Sequence, residues 1–308
     1  MAAVLRATTS LLLVGLLSAL GACTGPAEIP SDGLRKSSAM VEALPRAPSC
    51  DRADAVGGGA RGMWVWATGK RLADPNAAST LLETARALGL TELYLSVGGE
   101  VLDDARLPPL VSALARAGLR VEALMGEATW YRADQRPAML ARIDDVGAYN
   151  AQHAPGFAAV HLDVEPHQLP ENRGDHGFLD ELATSLAEAS ARASQRCMST
   201  SADLPRFALE DAGPAFARAV QRPFVMLYQL RSDTPAELAA ASAEALVHTY
   251  AGLTPEQRGR LVVSLRVEDY TTALPAMVSS LDDAYGDTAR YGGWAIHDEA
   301  KYRALARP

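Results

Sequence analysis

Residues 160–166 (VHLDVEP) alternate aliphatic and ionisable side chains. In a β-strand successive side chains point to opposite faces, so His161, Asp163 and Glu165 would share one face and the aliphatic residues the other. Two carboxyl groups on one face can perform acid–base chemistry when their surroundings keep one of them protonated. We therefore expect this face to carry candidates for general-acid chemistry, with Glu165 nearest the end of the strand.

Residues 263–268 repeat the pattern, with Ser264, Arg266 and Glu268 on the face opposite the aliphatic residues. Crowding Glu268 and the two carboxyls of the first run into a partly buried site would raise their pKa values. Glycoside hydrolysis needs a protonated carboxyl beside a second carboxylate, and Glu268 is a candidate for that second group. Alternatively, the carboxylates pair with Arg266 and other cations in a buried ionic cluster without a catalytic role.

Short apolar segments that alternate with helical patterns would position these residues. The segments are 62–68, 91–97, 119–126, 158–165, 198–203, 224–230, 261–268 and 292–298. Gly89 and Gly118 follow two of the helical patterns and are typical helix ends. Eight strand–helix units over roughly 250 residues predict a single (β/α)8 TIM barrel over residues 61–308, with a doubly wound open sheet as the alternative. In such a barrel the carboxyl ends of the strands carry the site.

The segment 158–165 (AAVHLDVE) resembles the D-G-x-D-x-D-x-E strand motif of glycoside hydrolase family 18. The resemblance implies that Glu165 is the catalytic acid and that Asp163 orients and stabilises the acetamido group of the substrate. Ala158 and His161 stand at the first two aspartate positions of the motif. The catalytic part of the motif is therefore kept while its supporting carboxylates are replaced.

Residues 226–229 (MLYQ) resemble the M-x-Y-D motif on the sixth strand of the same family. This implies that Tyr228 lies beside the reacting sugar and that Gln229 stands in place of an acid. A second resemblance is to retaining glycoside hydrolases with catalytic glutamates on strands four and seven. It would make Glu165 the acid/base and Glu268 the nucleophile.

Other residues on or after the predicted strands are candidates for substrate contacts. They are Glu127, Asp203, His297, Trp66 and Trp130. Indole rings stack on the apolar faces of sugars, and Trp130, in a loop, is the first choice for such a contact. Alternatively, Asp163 and several of these groups bind a divalent cation in a metal-dependent hydrolase, together with His167 and Asp298. Because no H-E-x-x-H motif is present, we expect no metal, and because the G-x-G-x-x-G match at 57–62 precedes the first strand and no P-loop is present, we expect no cofactor.

The first residues have the pattern of an export signal. The apolar run 11–20 is too short for a comfortable membrane span, and residues 20–23 (LGAC) resemble a bacterial lipobox. The resemblance implies that 1–23 is a signal peptide and that Cys23 is lipidated. Residues 24–60, rich in Pro and Gly, are typical of a flexible tether. We expect an exported protein that is lipid-anchored to the bacterial cell membrane or envelope.

Export would place the chain in an oxidising compartment. Cys50 and Cys197 would there form a disulfide or remain as two free thiols, a choice that the sequence leaves open.

The charge balance excludes one class of partner. A net charge of -8 and the lack of a basic stripe argue against nucleic-acid binding. We expect a polysaccharide or oligosaccharide as partner, and the membrane through the lipid anchor. A non-catalytic saccharide-binding or scaffold barrel is the alternative to an enzyme.

Overall fold

The computed structural model describes residues 59–228, 234–250, 252–269, 276, 279–280, 282–283 and 291–305. Its strands are β1 (Ala60–Val65), β2 (Glu92–Ser96), β3 (Arg120–Met125), β4 (Ala159–Leu162), β5 (Ser199–Pro205), β6 (Arg222–Met226), β7 (Val262–Arg266) and β8 (Gly293–His297). All neighbours are parallel, and β1 pairs with both β2 and β8, so the sheet closes on itself. The closure confirms the (β/α)8 barrel and excludes the open sheet.

Helices connect the strands along the described chain. They are α1 (Thr68–Leu72), α2 (Ala77–Leu88), α3 (Leu107–Arg116), α4 (Arg136–Gln152), α5 (Leu179–Gln195), α6 (Arg206–Ala219), α7 (Pro235–Tyr250), α8 (Pro255–Arg258) and α9 (Glu299–Leu305). Gly89 and Gly118 follow α2 and α3 with φ of +61° and +88°, as their predicted role as helix ends requires. No helix within these described segments is both long and apolar enough to cross a bilayer.

The barrel wall separates two apolar cores. Val160, Leu162 and Val164 are buried in the larger core between strands and helices, as the alternation predicted. A smaller core fills the barrel itself, where the ring of Trp64 contacts that of Tyr94 at 4.9 Å between centroids. The interior is therefore packed with side chains, so a ligand has access only from the ends of the strands.

A buried ionic cluster occupies the barrel interior at the amino ends of the strands. It consists of Glu92, Arg120, Glu122 and Arg222. Arg222 donates to Glu92 at 2.8 Å and to Glu122 at 2.9 Å, and Arg120 donates to Glu122 at 2.7 Å. A buried charge must be paired and hydrogen-bonded, and these four groups satisfy one another. This cluster involves other residues than the carboxylates at the carboxyl ends of the strands, for which pairing with Arg266 was the alternative.

Several strands end earlier than predicted. β4 ends at Leu162, β6 at Met226 and β7 at Arg266, so the residues that follow them, up to 165, 228 and 268, lie beyond the sheet, whereas residues 229 and 230 of the predicted sixth strand are outside the described residues. The apolar alternation continues past the strand in each case because the following residues still pack against the helices; Val164 and Val267 are both buried. The functional residues after these strands consequently lie on irregular backbone at the open end of the barrel.

Candidate active site at the open end of the barrel

Asp163 and Glu165 directly follow β4, where the chain leaves the barrel wall. The Asp163 backbone N–H donates to the Met125 carbonyl at 2.9 Å, which continues the β3–β4 hydrogen bonding. Gly126 makes this approach possible, because a Cβ atom there would lie 1.8 Å from the Asp163 carbonyl oxygen. A 3-10 turn over Pro166–Gln168 then fixes the backbone after Glu165.

Both carboxyl groups have pKa values above their ordinary range. Burial, followed by the charges of Asp203 and Glu165, raises the pKa of Asp163 to about 8. Burial and the charge of Asp203 raise the pKa of Glu165 to about 7. The pair therefore keeps a proton at neutral pH, as a general acid requires.

Two residues of the following turn contact Glu165. The Gln168 side-chain amide donates to Oε2, and His167 Nε2 lies 3.5 Å from Oε1. Burial lowers the pKa of His167, so the imidazole is neutral at pH 7 and adds no positive charge beside the carboxyl. The Glu165 side chain is 21% exposed, which leaves its proton accessible to a ligand.

Tyr228 follows β6 at the same end of the barrel. Its ring centroid lies 5.8 Å from that of His297, and the Arg266 guanidinium carbon lies 5.2 Å from the ring centre. Burial and the charges of Asp203 and Asp163 raise the pKa of Tyr228 well above its ordinary value. The phenol therefore stays protonated and can donate a hydrogen bond to a bound molecule.

Trp66 lies immediately after β1 and is 39% exposed. Its indole N–H donates to Nε2 of His297 at 2.7 Å. Burial lowers the pKa of His297, so its neutral ring can accept this bond. Trp66 is thereby fixed at the open end with part of its apolar ring in solvent, which is the arrangement a sugar-stacking residue needs.

Trp130 does not present a comparable surface. It is 7% exposed within the larger core, and Ser185 of α5 donates to its carbonyl at 2.8 Å. This contact joins residues far apart in sequence, so the loop sequence around Trp130 did not predict it. Glu127, in the same loop, is exposed. The structure thus gives Trp66 the accessible ring that we had expected of Trp130.

Asp203 lies within β5 rather than at its end, and it is 3% exposed. Its Oδ2 accepts hydrogen bonds from Trp64 Nε1 at 3.2 Å and His161 Nε2 at 2.9 Å. Its Oδ1 is buried and has no hydrogen-bond partner among the described residues. The burial argues against the predicted contact between Asp203 and substrate.

His161 is fully buried between Asp203 and Glu122. Burial opposes a positive charge, but the carboxylates of Asp203 and Glu122 raise the pKa of His161 to about 9. The alternation in 160–166 predicts the inward position of His161 but indicates no role for it. Its inward position, beside a strand that carries Asp203, is the feature of the sequence from which pairing of the two residues could have been predicted.

Glu268 lies beyond β7 in a 3-10 turn over Val267–Asp269. Its side chain is 41% exposed and lies 3.2 Å from Lys301 Nζ. Burial opposes ionisation, but a hydrogen bond from its own backbone N–H and the Lys301 ammonium lower the pKa of Glu268. Arg266 donates to Asp269 at 2.8 Å, so the ion pair that Arg266 forms lies on this turn. Glu268 is thus an ionised, lysine-paired group at the rim.

Known structures share this fold. A GH18 chitinase from Pseudoalteromonas aurantia matches with a TM-score of 0.54 and 10% identity over 80% of this chain and 99% of the chitinase. The PgaB (BpsB) glycoside hydrolase domain from Bordetella bronchiseptica matches with a TM-score of 0.51 and 12% identity, over 80% of this chain and 95% of that domain. The chain has the barrel fold of these glycoside hydrolases. No protein-family model and no curated protein sequence matches it.

Some predicted features lie outside the described residues, namely Cys23, Cys50, Gln229 and the signal peptide. Cys197 is disulfide-bonded and has φ of +58°. Within the part of the chain that is described, no group of three or more His, Cys, Asp and Glu side chains is arranged to hold a metal ion.

Proposed function

We propose that the protein is a glycoside hydrolase that acts on an extracellular or cell-envelope saccharide with Glu165 as general acid. The observation that carries the proposal is the Asp163–Glu165 pair: two carboxyls at the open end of the barrel, with pKa values raised to about 8 and about 7. Cleavage of a glycosidic bond requires a proton for the leaving oxygen at a pH where most carboxyls are ionised. The barrel fold shared with glycoside hydrolases supports this chemistry.

Each residue of the site has a role that follows from its protonation state. Glu165, partly exposed, donates its proton to the leaving glycosidic oxygen. Asp163 shares the charge of the site and orients the reacting group. The neutral Tyr228 phenol donates a hydrogen bond near the reacting sugar, and the exposed ring of Trp66 packs against a sugar face.

Asp163 is favoured over Glu268 as the working partner of Glu165. The charge of Glu165 contributes to the raised pKa of Asp163, so these two carboxyls interact directly. Glu268 instead interacts with Lys301 and His297. Whether the reaction retains or inverts the anomeric configuration follows from the separation of the participating carboxyls in the substrate complex.

Location at the cell envelope is part of the proposal and rests on the sequence. The lipobox-like residues 20–23 and the Pro/Gly-rich residues 24–60 support a lipid anchor at Cys23 followed by a tether. An anchored barrel would act on saccharides outside the cytoplasm. Labelling cells with an alkyne fatty acid would test the anchor: wild type should be labelled, and Cys23→Ser should not.

A screen of the purified protein against envelope and plant glycans tests the function. We expect release of shorter saccharides from at least one glycan, unchanged by a chelator. Binding of a glycan without product release would instead identify a non-catalytic binding barrel. Loss of product release on chelation would identify a metal-dependent hydrolase.

A further inference from the structure

Asp203 and Asp163 are neighbours across the β4–β5 pair. The register pairs His161 with Ser201 and Leu162, the last residue of β4, with Ala202, so Asp163 and Asp203 are the next residues along the two chains. Of the two Asp203 carboxylate oxygens, Oδ2 accepts both available hydrogen bonds and Oδ1 has no partner among the described residues. The charge of Asp203 therefore acts on Asp163 across this strand pair and not through a hydrogen bond between the two side chains that the described residues show.

The hydrogen bonds around His161 define its charge. Nε2 lies 2.9 Å from the Asp203 carboxylate, and Nδ1 lies 2.8 Å from Ser201 Oγ. The Ser201 hydroxyl donates its own hydrogen to Glu122 at 2.5 Å, so its oxygen can only accept from His161. Both ring nitrogens therefore face acceptors, an arrangement that fits an imidazolium with a proton on each nitrogen.

Aromatic rings enclose His161 on its remaining sides. Tyr94 stacks on the imidazole at 4.5 Å, and Phe224 and Trp64 meet it edge-on at 4.7 Å and 5.5 Å. The imidazolium consequently has no contact with solvent, and its charge acts on its carboxylate neighbours with little screening.

We propose that His161 is a positioning residue that holds the Asp203 carboxylate beside Asp163, so that the charge of Asp203 retains a proton on the Asp163–Glu165 pair. The inference rests on the proposed function. The second aspartate of the strand-four motif is thereby replaced by a cation on β4 and a carboxylate on β5. Titratable groups face the His161–Asp203 pair from each neighbouring element. They are Tyr94 on β2, Glu122 on β3, Asp163 and Glu165 after β4, Tyr228 after β6 and His297 on β8.

NMR titration of carboxyl carbons in the purified full chain tests the proposal without requiring turnover. In Asp203→Asn the Glu165 pKa should fall from about 7 by roughly one unit and stay above the value of about 4.3 typical of a free glutamate, because the burial of Glu165 remains. Asp211→Asn is the matched control, because Asp211 pairs with His176 at 2.6 Å on the exposed surface. It should leave the Glu165 titration unchanged. An unchanged Glu165 titration in folded Asp203→Asn would overturn the proposal.

A second measurement needs no variant. Ring-nitrogen NMR of wild type should show His161 as an imidazolium at pH 7.5, and a neutral His161 at this pH would overturn the proposal. In an active enzyme, Asp203→Asn should also lower turnover at pH 8 by roughly tenfold, because the protonated fraction of Glu165 falls. Absence of any glycan turnover would reject the proposed function, whereas the two titrations would still decide the role of His161.

Discussion

The imidazole of His161 donates to the Asp203 carboxylate across 2.9 Å, and both side chains lie inside the barrel, shielded from solvent. Below them is the buried ionic cluster, and beyond them lie Asp163 and Glu165. One charged column thus runs through the barrel from its amino end to the site. Charges in this buried column are weakly screened. The protonation state of each group therefore affects the pKa values of the groups next to it.

The first prediction concerns pH and stability. The folded-state pKa of His161, about 9, is above the unfolded value of about 6.5, so its contribution is complete below pH 6.5 and is lost as pH rises through 9. The contribution is on the order of 3 kcal/mol. Urea unfolding should therefore give a falling free energy between pH 6.5 and 9.5. His161→Gln should make this slope shallower, leaving the part due to Asp163, and the surface variant His176→Gln should keep it unchanged; an equal slope in all three proteins would contradict the assignment.

Asp163→Asn should lower turnover and raise the stability of the fold at high pH. The folded pKa of Asp163, about 8, exceeds the unfolded value of about 3.9, so burying this group favours folding only at low pH, and the benefit disappears as pH rises through 8. At pH 9 the neutral amide should stabilise the fold by at least about 1 kcal/mol relative to the carboxylate. Turnover should fall in the same variant. Lower stability of Asp163→Asn at pH 9 would show that the carboxylate is well accommodated there.

Gly126→Ala should disturb the site through the backbone. The added Cβ would lie 1.8 Å from the Asp163 carbonyl, so the chain must move, at a cost of about 1–3 kcal/mol. Turnover should fall along with stability. Gly98→Ala is the matched control, since Gly98 has φ of -67° and no atom within 4 Å of an added Cβ. Equal effects of the two substitutions on turnover would argue against the Gly126–Asp163 contact as a determinant of site geometry.

Substitution of Trp66 should affect saccharide binding, whereas substitution of Trp130 should affect stability. Trp66→Ala removes an exposed ring, so it should weaken saccharide binding roughly tenfold while changing stability little. Trp130→Ala removes a buried ring and should destabilise the fold by about 3–5 kcal/mol. Calorimetric binding and chemical unfolding of both variants measure this contrast. Unchanged binding in Trp66→Ala would remove Trp66 from the substrate-contact residues.

Alternation of residue types was sufficient to predict the barrel and the faces of its strands. Val160 and Leu162 face the helices and His161 faces the interior because period two is fixed by strand geometry. Strand ends were predicted less well, since Val164 stays buried after β4 has ended. An apolar pattern indicates which residues are buried. It does not indicate the residue at which the hydrogen bonding of the sheet ends.

The layer beneath the site could not be predicted from local pattern. Pairing of His161 with Asp203 depends on the β4–β5 register, which joins residues 42 positions apart. Burial of Trp130 likewise depends on how α5 packs against its loop. Such features arise from tertiary geometry, so the sequence identified the chemistry of Asp163 and Glu165 without the groups that tune it.

The most direct test of the account compares hydrolysis of a responsive glycan by wild type and Glu165→Gln. Glu181→Gln, the same substitution on an exposed face of α5, is the control. We predict that Glu165→Gln lowers kcat by about 10²–10⁴-fold. It should still bind the glycan, and Glu181→Gln should match wild type in both measurements. Hydrolysis by Glu165→Gln at the wild-type rate would contradict the assignment of Glu165 as the general acid.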